Sequence, residues 1–117
     1  MIFQENMPIY VQIANDIKDQ IIAGKLSDGD KLNSVREYTI SYEVTSLTMQ
    51  RALGLLESET VIETKKGVGS FVKPGVREEL KVRLVEELVR DFIARAANMG
   101  ITGEEILNRV KEGINNA

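Results

Sequence analysis

The sequence contains neither cysteine nor histidine among its 117 residues. Without cysteine the chain can form no disulfide bond, no thiolate zinc site and no cysteine nucleophile. Without histidine it also lacks the commonest metal ligand and the commonest general base. The acidic pairs at residues 86–87 and 104–105 are neighbours on predicted helices, so their carboxylates do not face each other as a catalytic pair would. We therefore expect no enzyme activity, no metal site and no cofactor.

Long hydrophobic runs and aromatic residues are also scarce. No apolar stretch approaches the roughly 20 residues of a membrane span, and the N-terminus lacks the basic and apolar segments of a signal peptide. The chain has no tryptophan, three phenylalanines and three tyrosines, so its core must consist mostly of Ile, Val and Leu. These features predict one small cytoplasmic domain, with room for an appendage, and no membrane contact.

The chain has no excess of positive charge. Its net charge is −3 and its pI is about 5.1, and residues 1–73 hold eight Lys/Arg against ten Asp/Glu. Nucleic-acid-binding domains are usually basic. A domain with this charge balance can bind a nucleic acid only through a local basic patch, and its affinity must then depend on a few contacts.

What the sequence does contain is a series of helix signals. Residues 7–23 form the first predicted helix, which starts near Pro8 and stops at Gly24. Its apolar stripe consists of Ile9, Tyr10, Ile13, Ala14, Ile17, Ile21 and Ile22. Ser34 and Glu37 match the S-x-x-E capping box that begins a second helix, with Val35, Tyr38 and Tyr42 as its apolar positions.

A third helix and a hairpin follow. Thr45 is the expected N-cap of a helix over residues 46–59, with Met49, Ala52, Leu53 and Leu56 facing inward. Short strands are predicted over residues 61–64 and 70–72, joined by "KKGVG". The glycines resemble a phosphate-binding loop, but such a loop joins a strand to a helix, whereas this one joins two strands. Two helices joined by a tight turn and followed by a hairpin predict a winged helix-turn-helix.

After residues 74–75 the sequence predicts two further helices and no strand. A helix is predicted over residues 76–98, and Thr102 with Glu105 forms a second capping-box pattern for a last helix. The inward positions of that last helix are predicted to be Ile106, Leu107, Val110 and Ile114. The broad apolar band of the long helix exceeds what one short partner helix can cover, which favours a subunit interface. The predicted dimerisation residues are Leu80, Leu84, Val85, Leu88, Val89, Phe92, Ile106 and Val110.

The pattern "SVRE…VTSLTMQRALGLLE…VIETKKGVGSFV" resembles the N-terminal domain of the GntR family of bacterial transcription regulators over residues 8–72. The short helical tail resembles the YtrA-like branch of that family. The resemblance implies a mostly α fold with a small β-hairpin. Residues 1–74 would form the winged helix-turn-helix DNA-binding domain, and residues 75–117 a two-helix dimerisation tail. It further implies a homodimer that binds an inverted-repeat operator in double-stranded DNA, and it favours repression.

The resemblance also implies individual roles. Arg36 falls on an arginine at the start of helix two that contacts DNA, helix three would enter the major groove, and the wing tip would enter the minor groove. Arg51 is a weaker candidate on the surface of helix three, and Ser34 belongs to the same helix start as Arg36. The predicted DNA-binding residues are Ser34, Arg36, Thr45, Ser46, Thr48, Gln50, Arg51, Lys65, Lys66 and Gly67.

Five positions depart from the family pattern. Asn33 stands where proline is frequent, which should loosen its loop, and Glu43 and Thr60 stand where glycine is usual. Ser46 replaces a common arginine and Leu47 a common asparagine or threonine, so base preference is expected to differ. The acidic pI leaves open a second hypothesis, in which the chain is a winged-helix adaptor that binds a protein instead of DNA. The sequence gives no indication of a small-molecule effector, although a ligand pocket between the tail helices and the winged domain stays open.

Overall fold

The computed structural model describes all 117 residues as five helices and one antiparallel hairpin. The elements are α1 (Ile9–Ile22), α2 (Val35–Tyr42), α3 (Ser46–Ser58), β1 (Ile62–Lys65), β2 (Gly69–Val72), α4 (Val76–Asn98) and α5 (Gly103–Asn115). The predicted fold, a mostly helical winged helix-turn-helix followed by two helices, is confirmed. The chain divides into two compact units, Met1–Lys81 and Val82–Ala117. None of the five helices combines the length and the apolar character that spanning a lipid bilayer requires.

Helix α1 begins after Pro8 and ends before Gly24, as the sequence predicts. The carbonyl of Pro8 accepts the first helical hydrogen bond, from Gln12 N–H at 3.2 Å. At the other end Gly24 has φ +81°, and Lys25 N–H donates to the Gln20 carbonyl at 2.9 Å, which is the Schellman arrangement that ends a helix. Ile9, the first residue of the predicted apolar stripe, is 44% exposed and lies beyond the edge of the core.

Local caps fix the helix-turn-helix. Ser34 and Glu37 form the predicted capping box: the Ser34 hydroxyl accepts from Glu37 N–H at 3.1 Å, and the Glu37 carboxylate accepts from Ser34 N–H at 2.9 Å. In the turn, Glu43 has φ +56° and ψ +50°, so this residue adopts the left-handed conformation that glycine adopts more readily. Thr45 then caps α3, as predicted, by accepting from Thr48 N–H at 3.2 Å.

A side-chain network joins α2 to α1. The Tyr42 hydroxyl donates to Asp16 Oδ2 at 2.6 Å, and Gln20 Nε2 donates to the same oxygen at 3.1 Å. Burial, followed by the hydrogen bond and negative charge of Asp16, raises the pKa of Tyr42. The network joins α2 to α1 at a tyrosine that also packs against the hydrophobic core.

The first unit has a continuous hydrophobic core. The Ile residues of α1 pack against the inner face of α3 and the base of the hairpin, and the beginning of α4 completes the cluster. Its buried members are Ile13, Ala14, Ile17, Ile21, Leu32, Tyr38, Met49, Ala52, Leu56, Val61, Ile62, Val72, Val76 and Leu80. The prediction that Leu80 faces a partner subunit is therefore wrong, because Leu80 is 6% exposed and packs in this core.

The wing has one more strand segment than predicted. β1 and β2 pair from Ile62 with Val72 to Lys65 with Gly69. Lys31 forms an isolated bridge to Phe71, and Leu32 N–H donates to the Ser70 carbonyl at 2.8 Å. The segment at residues 27–31, "SDGDK", thus adds an edge to the hairpin that holds the wing against the domain.

The second unit consists of the rest of α4 together with α5. The Thr102 hydroxyl caps α5 by accepting from Glu105 N–H at 3.2 Å. The predicted capping box is only half formed, since no hydrogen bond returns from the Glu105 side chain to the Thr102 backbone. The predicted inward residues of α5 are not covered within one chain: Ile106 is half-buried, while Leu107, Val110 and Ile114 are 55%, 39% and 69% exposed.

Candidate DNA-binding and subunit surfaces

Helix α3 has one buried face and one exposed polar face. Met49, Ala52 and Leu56 are fully buried at helical spacing, so the core fixes how the helix is rotated. The opposite face consists of exposed residues, and in the first two turns these are Ser46, Leu47, Gln50 and Arg51. A helix held rigidly on one side, with its N-terminal half free on the other, can enter the major groove of DNA.

Arg36 lies at the beginning of α2, immediately inside the capping box. Its side chain is exposed and forms no ion pair. The neighbouring Glu37 carboxylate is held by the backbone N–H of Ser34, which is the main reason that the pKa of Glu37 is lowered. Because Glu37 is engaged with Ser34, the Arg36 guanidinium remains available for an anion. Ser34, predicted to bind DNA, acts as a helix cap in the free protein.

Thr45 and Thr48 are committed to each other in the free protein. The Thr45 hydroxyl donates to Thr48 Oγ1 at 3.0 Å and accepts from Thr48 N–H. Thr48 is also half-buried. Both residues therefore stabilise the start of α3, and their predicted contacts with DNA stay a prediction.

The wing tip carries two exposed lysines. Lys65 ends β1, and its ammonium lies 4.9 Å from the ring centroid of Phe71, a cation–π contact that holds its stem against the strand. Lys66 lies in the turn, which closes through Val68 N–H donating to the Lys65 carbonyl at 2.9 Å. Gly67 has φ +75° in this turn, which is why the tight tip needs a glycine there.

Lys31 is a cation that the sequence did not single out. Its bridge to Phe71 places it beside the hairpin, and its stem crosses Gly69 so closely that a Cβ on Gly69 would lie 2.7 Å from Lys31 Cε. Its positive charge also contributes to lowering the pKa of Glu37 at the start of α2. The sequence around Lys31 does not reveal its place beside the wing, because the bridge joins segments 40 residues apart.

The structure brings the start of α2 and the wing to one cleft. The cleft has a volume of about 500 Å³, and its lining includes Lys31, Ser34 and Glu37 on one side and Gly69 and Ser70 on the other. The two ion pairs in the structure, Lys18–Glu59 and Arg109–Glu112, involve none of the predicted DNA-binding cations. These elements thus carry local positive charge without an ion-pair partner, although the chain is acidic overall. No group of three or more acidic side chains is placed to hold a metal ion.

The second unit has an apolar surface of its own. Leu88, Val89 and Phe92 are 60%, 50% and 52% exposed, and Val85 is 51% exposed. A cavity of about 710 Å³ opens between α4 and α5. It is lined by Leu88, Val89, Phe92, Ile93, Gly103, Ile106, Leu107 and Val110. So much exposed apolar area on 36 residues indicates a surface that another molecule covers.

Comparison with known proteins agrees with this geometry. A sequence model described as "Bacterial regulatory proteins, gntR family" matches residues 9–72. The chain is 38% identical to the uncharacterized HTH-type transcriptional regulator YhcF of Bacillus subtilis (strain 168), over 93% of this chain and 92% of that protein. It is 30% identical to the HTH-type transcriptional repressor YtrA of the same organism, over 93% of this chain and 86% of YtrA.

A solved structure is similar over nearly the whole chain. A GntR family transcriptional regulator from Listeria monocytogenes superposes with a TM-score of 0.87 at 36% identity. The match covers 94% of this chain and 98% of the Listeria chain, so it includes the two tail helices as well as the winged domain.

Proposed function

The chain belongs to the GntR family of bacterial regulatory proteins, and we propose that it acts as a homodimeric repressor that reads an inverted-repeat operator. Its family and its relatives are transcription regulators with a DNA-binding helix-turn-helix, so the chain is a regulator and not an enzyme. The observation that best supports operator binding is the free polar face at the start of α3, which is flanked by cations on α2 and the wing that lack an ion-pair partner. We place its action in the cytoplasm, where operator DNA is accessible.

On DNA, α3 lies in the major groove and the wing tip reaches the adjacent minor groove. Gln50 has an amide that can both donate to and accept from an adenine edge, so it reads sequence. Arg36, Lys65 and Lys66 neutralise phosphates and set how tightly any sequence is held. Arg51 faces the same side as Gln50 and adds a further cation. Ser46 is short and contacts DNA only where the helix docks closely.

The dimer forms through the apolar surface of α4 and α5. Leu80 is excluded because it packs in the core of the first unit. The proposed interface residues are Leu84, Val85, Leu88, Val89, Phe92, Ile106 and Val110. A second copy of the same surface would cover the 710 Å³ cavity with matching apolar groups. Two-fold symmetry then requires two inverted half-sites about one helical turn apart, roughly 10 base pairs from centre to centre. Because a second copy would cover this cavity, we do not assign it to a small-molecule effector.

The net charge of −3 favours one alternative, a winged-helix adaptor that binds a protein. The alternative predicts that neutralising Arg36, Lys65 and Lys66 together leaves partner binding intact. It also predicts that no DNA sequence is preferred over another.

Selection of bound sequences from a random pool of duplex DNA tests the proposal. The expected result is an enriched inverted repeat with the spacing given above, because each subunit presents one α3 and one wing. Enrichment of a single, non-repeated site would contradict the dimeric proposal, and the absence of any enriched sequence would favour the adaptor.

A further inference from the structure

Leu47 is a large apolar side chain in the first turn of α3 that the fold does not use. It is 61% exposed, whereas Val44 before it and Leu53 after it pack against the hydrophobic core. Gln50 and Arg51 lie three and four residues later, so they share its face of the helix, and both are exposed. Leu47 is therefore an isolated apolar group at the N-terminal end of a polar, outward-facing surface.

The position of Leu47 specifies the chemistry of its partner. Residues in the first turns of a recognition helix are the ones that meet base edges in the major groove. The edges of the four base pairs present hydrogen-bonding groups there, and the one large apolar group among them is the C5 methyl of thymine. Leucine can neither donate nor accept a hydrogen bond, so this methyl group is the only base feature that it can recognise.

We propose that Leu47 contacts the C5 methyl group of a thymine in each operator half-site and so selects a T·A pair at that position. The inference rests on the proposed function, since it requires α3 to lie in the major groove. Leu47 and Gln50 then read through different chemistry: Gln50 uses hydrogen bonds, and Leu47 uses exclusion of water from two apolar groups.

Replacing single thymines with deoxyuridine tests the inference, because it removes the methyl group and leaves the Watson–Crick edge unchanged. The probe is the duplex selected from a random pool with the parent chain, altered at one thymine at a time. At one position in each half-site, deoxyuridine should weaken binding to the parent about fourfold, equivalent to roughly 0.8 kcal/mol for one buried methyl-sized group. The same replacement should have no effect on binding to Leu47→Ala.

The matched control is Ile2→Ala, which removes an apolar side chain that is 95% exposed and lies outside α3. This variant should keep the sensitivity of the parent to deoxyuridine. Circular dichroism should show that Leu47→Ala keeps its helices, since no core contact is lost and alanine favours helix.

Two outcomes would overturn the inference. If the parent and Leu47→Ala respond equally to deoxyuridine at every thymine, Leu47 does not read a methyl group, while the selected operator leaves the proposed function standing. If the random pool yields no preferred sequence, the inference and the proposed function fail together.

Discussion

Replacing Leu88 with aspartate should separate the proposed dimer into monomers. Leu88 lies in the apolar cavity between α4 and α5 and is 60% exposed in the single chain. Complete burial of a leucine stabilises by about 1.5–3 kcal/mol, so covering the exposed part contributes about 1–2 kcal/mol per subunit. The contribution occurs twice in a symmetric dimer, about 2–4 kcal/mol in total, and its loss weakens association roughly 30-fold to 1000-fold. An unpaired carboxylate buried at each site weakens association further.

Sedimentation equilibrium over nanomolar to micromolar concentrations measures this effect. The control is Arg90→Asp, which also places an acid on α4 but at an exposed position that does not line the cavity. The control should stay dimeric while Leu88→Asp sediments as a monomer with its helices intact. If Leu88→Asp dimerises as tightly as the control, the exposed apolar surface around Leu88 is not the interface, which then lies elsewhere.

Three further predictions concern the winged domain. Thr60 has φ +59°, a conformation that is costly for a β-branched residue, and the strain energy exceeds the entropic cost of glycine in the unfolded chain. Thr60→Gly should therefore raise the free energy of unfolding by about 1 kcal/mol in urea titrations, and no gain would mean that the strain is relieved locally. Tyr42→Phe should lower stability by about 1–3 kcal/mol through loss of the bond to Asp16. Because the pKa of Tyr42 is raised in the folded state, the stabilisation by its hydroxyl is complete below the pKa of a free tyrosine, about 10, and declines as the pH rises above that value. Tyr42→Phe should therefore lose less stability than the parent in alkali, and equal pH profiles of the two proteins would contradict this prediction. Gln50→Ala should relax preference at one base pair in each half-site by about 1–3 kcal/mol, measured on operators with every single-base change, and an unchanged preference profile would exclude Gln50 from base reading.

The parts of the fold that depend on local signals could be predicted from the sequence. The Ser34–Glu37 capping box and the Thr45 cap each lie within four residues, so the beginnings of α2 and α3 were predicted correctly. The glycine that the family usually has at the position of Glu43 is consistent with the left-handed φ of +56° observed there. Such signals need no knowledge of the tertiary structure.

Features that depend on distant contacts could not be predicted. Lys31 joins the wing only because its segment pairs with Phe71, and nothing near Lys31 encodes that partner. Gln12 was unremarkable in sequence, yet its buried amide donates to the carbonyls of Gln4 and Met7 and fixes the N-terminal segment. Leu80 shares the helical periodicity of the exposed residues of α4, so only the packed structure could assign it to the core.

We propose that this acidic chain binds its operator through a few cations on α2 and the wing. The most direct measurement is the affinity of the selected operator for the parent, Arg36→Ala and the double variant Lys65→Ala/Lys66→Ala, over a series of salt concentrations. Lys111→Ala, which removes an exposed lysine of α5 in the second unit, is the control.

The Arg36 variant and the wing double variant should both bind the operator more weakly than the parent does. Each lost phosphate contact should also make the dependence of log K on log salt shallower by roughly one unit, while Lys111→Ala binds as the parent does. Unchanged affinity and salt dependence in the Arg36 and wing variants would mean that the proposed basic patch makes no contact with DNA.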